Sequence, residues 1–160
     1  MHILRNATIN DVNLVTDIMV TSFRTAFHSF VSQETLDACA KVENCREMFK
    51  NIFAEGKMNV ILGDSSGILV WEKDDEDIGE IVAIHSLPES WGTGLGHALL
   101  MEGLKQMKKA GIGSVYLWAF KENLRARRFY EKHGLRWDGT ERISEFDGAV
   151  EVLYRIKIEA

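Results

Sequence analysis

A mixed α/β sheet with helices on both faces is the fold the sequence predicts, and three observations predict it. Strand-like and helix-like stretches follow one another as strand, two helices, three strands, helix, strand, helix and two strands. The central strands are joined through a helix, a connection long enough for parallel pairing. Elsewhere tight turns separate consecutive strands and impose antiparallel hairpins, so parallel and antiparallel neighbours share one sheet.

Each element has its own warrant. "HILRNATI" alternates enough for a first strand. "NDVNLVTDIMVTSFRTAF" places Val12, Val15, Ile18, Met19 and Phe23 at helical spacing, with Asn10 or Asp11 as its N-cap. "SQETLDACAKVENCREMFKNIFAEG" reads as one or two helices that begin near Ser32 and close at Gly56. "MNVILGD" and "SGILVWEKD" form a hairpin through Asp64-Ser65-Ser66-Gly67, and the solvated turn "DDED" leads into the strand "IGEIVAIHSL". After a glycine-rich loop comes the helix "GHALLMEGLKQMKKAG", with Leu100, Leu104 and Met107 on one face and Gly111 at its end. "GSVYLWAF" is a buried strand, "NLRARRFYEKHG" a helix from Asn123 to Gly134, and "LRWDGTERIS" and "AVEVLYRIKI" the final strands.

The 160 residues suit a single domain, 1–160, with no repeat and no linker; Pro88 is the only proline. A formal charge of −5 argues against a nucleic-acid or anionic-membrane surface. Cys39 and Cys45 lie in one predicted helical region without ligand-spaced partners, so reduced thiols and no metal are expected. No apolar run is long enough to span a bilayer, which makes a cytoplasmic protein the expectation.

"ESWGTGLGHALL" sets Gly92, Gly94 and Gly96 immediately before a helix. A strand, a glycine turn and a helix N-terminus bring free N–H groups together where the helix macrodipole favours an anion. The dinucleotide fingerprint needs G-x-G-x-x-G, and Gly92-Thr93-Gly94-Leu95-Gly96 has the wrong last spacing. A P-loop needs Gly-Lys-Ser/Thr, which Gly96-His97-Ala98 lacks. A tight turn without a ligand is the competing reading.

A second motif, "NLRARRFYEKHGL", sets Asn123 and Tyr130 seven apart, about 20° from eclipsed on a helix, with small Ala126 between them. Singly, Asn123 reads as an N-cap and Tyr130 as core. Together with "WGTGLG", the motif resembles the GCN5-related N-acetyltransferase (GNAT) superfamily. That family carries Gln/Arg-x-x-Gly-x-Gly/Ala after its fourth strand and Asn-x-x-Ala-x-x-x-Tyr-Glu-Lys-x-Gly-Phe on a later helix. The element order matches the family's plan along essentially the whole chain.

The resemblance implies the GNAT fold and an N-acetyltransferase using acetyl-CoA as co-substrate, without metal. The main chain of Ile84, His85 and Ser86 would pair with the pantetheine arm. The N–H groups of Gly92, Thr93, Gly94, Leu95, Gly96 and His97 would take the pyrophosphate. Asn123 would contact pantetheine near the thioester, and Arg128 matches a frequent basic residue of the family. Tyr130 stands at the general-acid position for the departing sulfur. Glu80 falls where histone-modifying members carry a catalytic glutamate, with His85 or a water as alternative base. Trp118 occupies a position where protein N-terminal acetyltransferases can carry glutamate, which counts against that activity. Trp91 replaces the loop's Gln/Arg and Thr93 a common Lys/Arg, so phosphate recognition leans on main chain and on Arg125, Arg128 or Lys132.

The first helical segments would wall the acceptor site with Phe23, Phe27 and His28, joined by Arg24 and Phe30. An aromatic rim suits an amine on an apolar body, although Phe23 and Phe27 at i, i+4 also read as core. The expected partner is a small-molecule or peptide amine. A non-catalytic CoA-sensing or interaction module with the same fold is the alternative function. The final strand pair would serve equally in a homodimer or a monomer.

Overall fold

In the computed structural model, which describes residues 1–158, the chain runs β1 (Leu4–Asn6), α1 (Val12–Phe27), α2 (Gln33–Cys39), α3 (Val42–Glu55), β2 (Met58–Gly63), β3 (Gly67–Asp75) and β4 (Ile78–Ser86). It continues through α4 (Leu95–Lys109), β5 (Ser114–Phe120), α5 (Leu124–Lys132), β6 (Arg136–Ile143) and β7 (Val150–Lys157). One seven-stranded sheet has the order β1-β2-β3-β4-β5-β7-β6. Among the described residues only β4 and β5, the strands joined by α4, pair in parallel; every other neighbouring pair is antiparallel.

Period-2 alternation divides the core into two layers. Val60, Leu62, Ile68 and Val70 point to the α1–α3 face, against Val15, Ile18 and Phe49. Ile61, Leu69 and Trp71 point to the α4–α5 face, against Leu95, Leu99, Leu100 and Met107. The β2–β3 hairpin and α4 pack closely, because a Cβ on Gly63 would come 2.8 Å from Leu95.

The helix termini depart from expectation in places. Neither Asn10 nor Asp11 caps α1 through its side chain; Thr8 instead caps a short 3₁₀ turn over Ile9–Asp11 that leads into α1. The Asp11 carboxylate completes that box from the Thr8 N–H and pairs with Arg5, which holds its pKa down to about 2. The second helical region is two helices. Ser32 caps α2, and α3 ends on left-handed Gly56, so free Cys39 and Cys45 lie on different helices. Among the described residues no helix is long and apolar enough to cross a membrane.

Candidate active site

The site begins where the sheet opens. The parallel β4–β5 pairing consists of Ile78↔Ser114, Gly79↔Val115 and Glu80↔Tyr116, and stops there. From Ile81 to Ser86 and from Leu117 to Phe120 the two strands continue without pairing to each other. An irregularity in the β3–β4 register, where Val70↔Ala83 is followed by Trp71↔Ile81, bulges Val82 out at this point. A parted parallel pair presents unpaired strand edges, to which an extended ligand can add.

Which main-chain groups line the gap follows from alternation along β4. Leu87 donates to Ser66 on the β3 side at 2.9 Å, and the His85 carbonyl likewise lies against Gly67. Ile84 and Ser86 therefore face the opening. The His85 backbone is turned to β3. The Ser86 carbonyl is also engaged, accepting the Trp91 indole N–H at 3.1 Å. Ile84 is the residue with both main-chain groups toward the gap.

Beyond β4 the chain makes a 3₁₀ turn at Pro88–Ser90 and enters the glycine loop. Gly92 (φ 77°) and Gly94 (φ 87°) take left-handed conformations that side chains disfavour. Gly96 serves packing instead: a Cβ there would press at 3.4 Å on the ring of Phe129 in α5. Ala98 is the first residue of α4 to donate backward, to Gly94 at 3.0 Å. The N–H groups of Gly92, Gly94, Leu95, Gly96 and His97 have no carbonyl partner among the described residues. Thr93 is the exception, since its N–H and hydroxyl both donate to the Ser90 carbonyl, at 3.3 and 2.6 Å.

A cation from another helix reaches the loop's tryptophan. The Arg125 guanidinium, in the first turn of α5, lies 3.5 Å from the centroid of the Trp91 ring. Arg128, the basic residue the family pattern favours, is exposed and makes no such contact. Lys132 is exposed at the end of α5. Trp91 is the seat for an arginine arriving from α5.

Asn123 uses its side-chain oxygen to cap α5 at the Ala126 N–H, 3.3 Å away, which leaves its amide NH₂ without a partner among the described residues. Tyr130 is buried at 7% exposure, its ring packed on Phe129 and Tyr154. Burial holds its phenol protonated well above the ordinary range, and the Arg125 charge opposes that shift.

Two ionisable groups stand along β4. Glu80 sits in the last β4–β5 pair, at the point where the strands part. Burial, then the neighbouring Glu72 carboxylate, raise its pKa above the ordinary carboxyl range. The Tyr116 hydroxyl lies 3.4 Å from Glu80 and donates more closely to Asp74 at 2.8 Å. The half-buried His85 imidazole is held down to about 4, by burial first and by the Arg125 charge second.

On the α1 face the opening is closed by aromatic rings. Phe27 touches both strand ends, His85 at 6.0 Å and Phe120 at 4.9 Å between centroids. Phe23 lies 4.6 Å from Phe27 and 5.7 Å from Phe146 of the β6–β7 loop, and Phe30 lies 5.2 Å from Phe120. Beside them is a cavity of about 310 Å³ lined by Phe30, Phe120, Lys121, Glu122, Asp147 and Val150. Asp147 fixes this wall by accepting the Ser32 N–H and the Thr35 hydroxyl. His28 does not join the cluster: it is exposed and bonds back to the Thr25 carbonyl at 2.8 Å. Arg24 is likewise committed, to Asp37 and the Ala40 carbonyl. Phe120 and Phe146 escaped the sequence reading, because one ends a buried strand and the other sits in an irregular loop.

Comparison with known proteins bears on the family and the fold. Residues 15–135 match the model of the acetyltransferase (GNAT) family. Mycothiol acetyltransferase of Nocardiopsis dassonvillei is 39% identical over 66 residues, which cover 41% of this chain and 20% of that protein. The chain thus spans about a fifth of the length of that relative. The uncharacterized N-acetyltransferase YuaI of Bacillus subtilis is 26% identical over 126 residues, 75% of this chain and 72% of that one. Among solved structures, the PaiA N-acetyltransferase of Thermoplasma acidophilum in complex with coenzyme A superposes with a TM-score of 0.86. Its identity is 19%, and 99% of both chains is covered.

Proposed function

Because the chain belongs to the acetyltransferase (GNAT) family, we propose that it transfers the acetyl group of acetyl-CoA to a primary amine of a small molecule or peptide, by direct attack with both substrates bound. The observation that carries this reading is the parting of β4 and β5 after Glu80↔Tyr116, directly beside a loop of unpartnered N–H groups. These features suit the two ends of one ligand, an extended amide-bearing arm and a diphosphate. The chemistry of this chain's groups fits coenzyme A: Ile84 offers strand hydrogen bonds, Asn123 a free amide, and the Gly92 and Gly94–His97 amides an anion site.

The remaining residues divide the reaction. An alkyl amine arrives protonated and must lose a proton before its nitrogen can form the new C–N bond. Glu80 takes that proton, because its raised pKa brings a carboxylate closer to the basicity the task needs. His85 would be neutral but too weak a base at about 4. The Ile84 N–H meets the carbonyl oxygen as charge develops there. When the C–S bond breaks, Tyr130 donates its proton to sulfur and then recovers one from the acylated nitrogen or from solvent. The Phe23–Phe27–Phe120 rings favour an acceptor whose amine is carried on an apolar or aromatic body.

The test is a panel of amines, including aryl-alkyl amines, polyamines, amino acids, aminoglycosides and peptides, incubated with acetyl-CoA while free thiol and product mass are followed. Amine-dependent thiol release with a product heavier by one acetyl group is expected, strongest for apolar amines. Tight CoA binding with no turnover across the panel would instead identify a CoA-sensing module.

A further inference from the structure

The far side of the glycine loop is held by a residue outside all of the site's motifs. His2 Nδ1 lies 2.5 Å from the Asp64 carboxylate, and its Nε2 lies 3.0 Å from the Thr93 carbonyl. Both partners are pure acceptors, so both ring nitrogens must carry hydrogen for both contacts to exist, and the imidazole is a cation. Asp64 is doubly engaged, because its other oxygen accepts the Ile3 N–H at 2.7 Å. His2 also lies against the loop's critical glycine: a Cβ on Gly94 would come within 3.5 Å of its Nε2.

We propose that protonated His2 is the clasp that orders the Thr93–Gly94 turn for the diphosphate of coenzyme A, so that cofactor affinity depends on the His2 proton. The inference rests on the coenzyme A reading of the loop given above. Three groups bear on the imidazole: Asp64 on the β2–β3 turn, the Thr93 carbonyl of the loop, and the chain's own N-terminal ammonium. The Asp64 and Thr93 bonds outweigh the desolvation and the ammonium charge that oppose them, and the pKa of His2 is raised.

The sign follows from the donor count. Below the ordinary imidazole range the clasp is complete. As pH rises through the raised pKa, one nitrogen becomes an acceptor facing an acceptor and that bond is lost. The change also strips the counter-charge from Asp64, leaving an uncompensated carboxylate near the anion site. Both effects weaken diphosphate binding at high pH. The loop lacks the Lys or Arg common in the family at Thr93, so no side chain in the loop itself offsets the loss.

The test is the Kd of CoA by calorimetry between pH 5.5 and 9 for the wild type, H2Q and D64N, together with the NMR titration of His2 and the Thr93 amide in the ligand-free protein. At the acid end the wild type should bind about fivefold more tightly than H2Q. The two should converge at the alkaline end, with the midpoint at the His2 pKa and the Thr93 amide shifting in parallel. D64N should lower the His2 pKa and move the midpoint with it. Comparison with H2Q at each pH removes the contribution of CoA's own phosphate ionisation. A wild-type to H2Q ratio that is constant across pH, or a Thr93 amide indifferent to the His2 titration, overturns the clasp. Absence of CoA binding by the wild type at every pH overturns the coenzyme A reading itself, and the coupling with it.

Discussion

Substitution of Tyr130 by phenylalanine is expected to lower kcat by about 10²- to 10⁴-fold, the usual share of a general acid, with little change in KM for acetyl-CoA. Folding should survive, because the ring packs on Phe129 and Tyr154 while the hydroxyl has no hydrogen-bond partner among the described residues. Burial makes the phenol a weaker acid, whereas a thiol has a reference pKa of about 8.5. Proton transfer to sulfur is therefore uphill unless a positive charge stabilises the phenolate. Arg125, whose charge lowers the Tyr130 pKa, is the group placed to do so. Steady-state kinetics with the most reactive amine reads the effect. A KM change at constant kcat would mean that Tyr130 only orients the donor.

Glu80→Gln should lower kcat/KM by about 10²-fold or more at neutral pH and remove the acidic limb of the pH–rate profile. The sign is set by the base role. Activity requires the carboxylate, so the wild-type rate falls as pH drops through the Glu80 pKa, which burial and Glu72 have raised. Glutamine keeps the shape but has nothing to titrate, leaving a lower and flatter profile. His85→Gln, by contrast, should leave that limb in place. A profile unchanged in Glu80→Gln but lost in His85→Gln would transfer the base role to the imidazole.

The two features that define the proposed cleft differ in how far the sequence reveals them. Helical periodicity, β alternation and the glycine and asparagine caps are local, so element order and the mixed sheet were legible from residues a few positions apart. The pairing of "WGTGLG" with "NLRARRFYEKHG" was legible as a family pattern. Contacts set by packing were not. Nothing local tells that Arg125 will lie on Trp91, because the stack depends on how α5 crosses α4 over the Phe129–Gly96 contact. The His2 clasp joins positions 62 and 91 residues apart and has no periodic signature. Backbone direction escaped for another reason: which of Ile84, His85 and Ser86 faces the gap depends on β3–β4 register and on the bulge at Val82. Thr93 turned its N–H inward because the 3₁₀ turn leaves the Ser90 carbonyl within reach, a detail of loop geometry rather than of composition.

The central claim is that coenzyme A lies between β4 and β5 with its diphosphate on the main chain of the loop. An amide ¹H–¹⁵N titration of the isotope-labelled protein with CoA tests it residue by residue. The largest shifts are expected at Gly92, Gly94, Leu95, Gly96, His97 and Ile84, with a smaller one at inward-bonded Thr93, and none with NADH at equal concentration. Shifts confined to other parts of the sheet, or an equal response to NADH, would contradict the account.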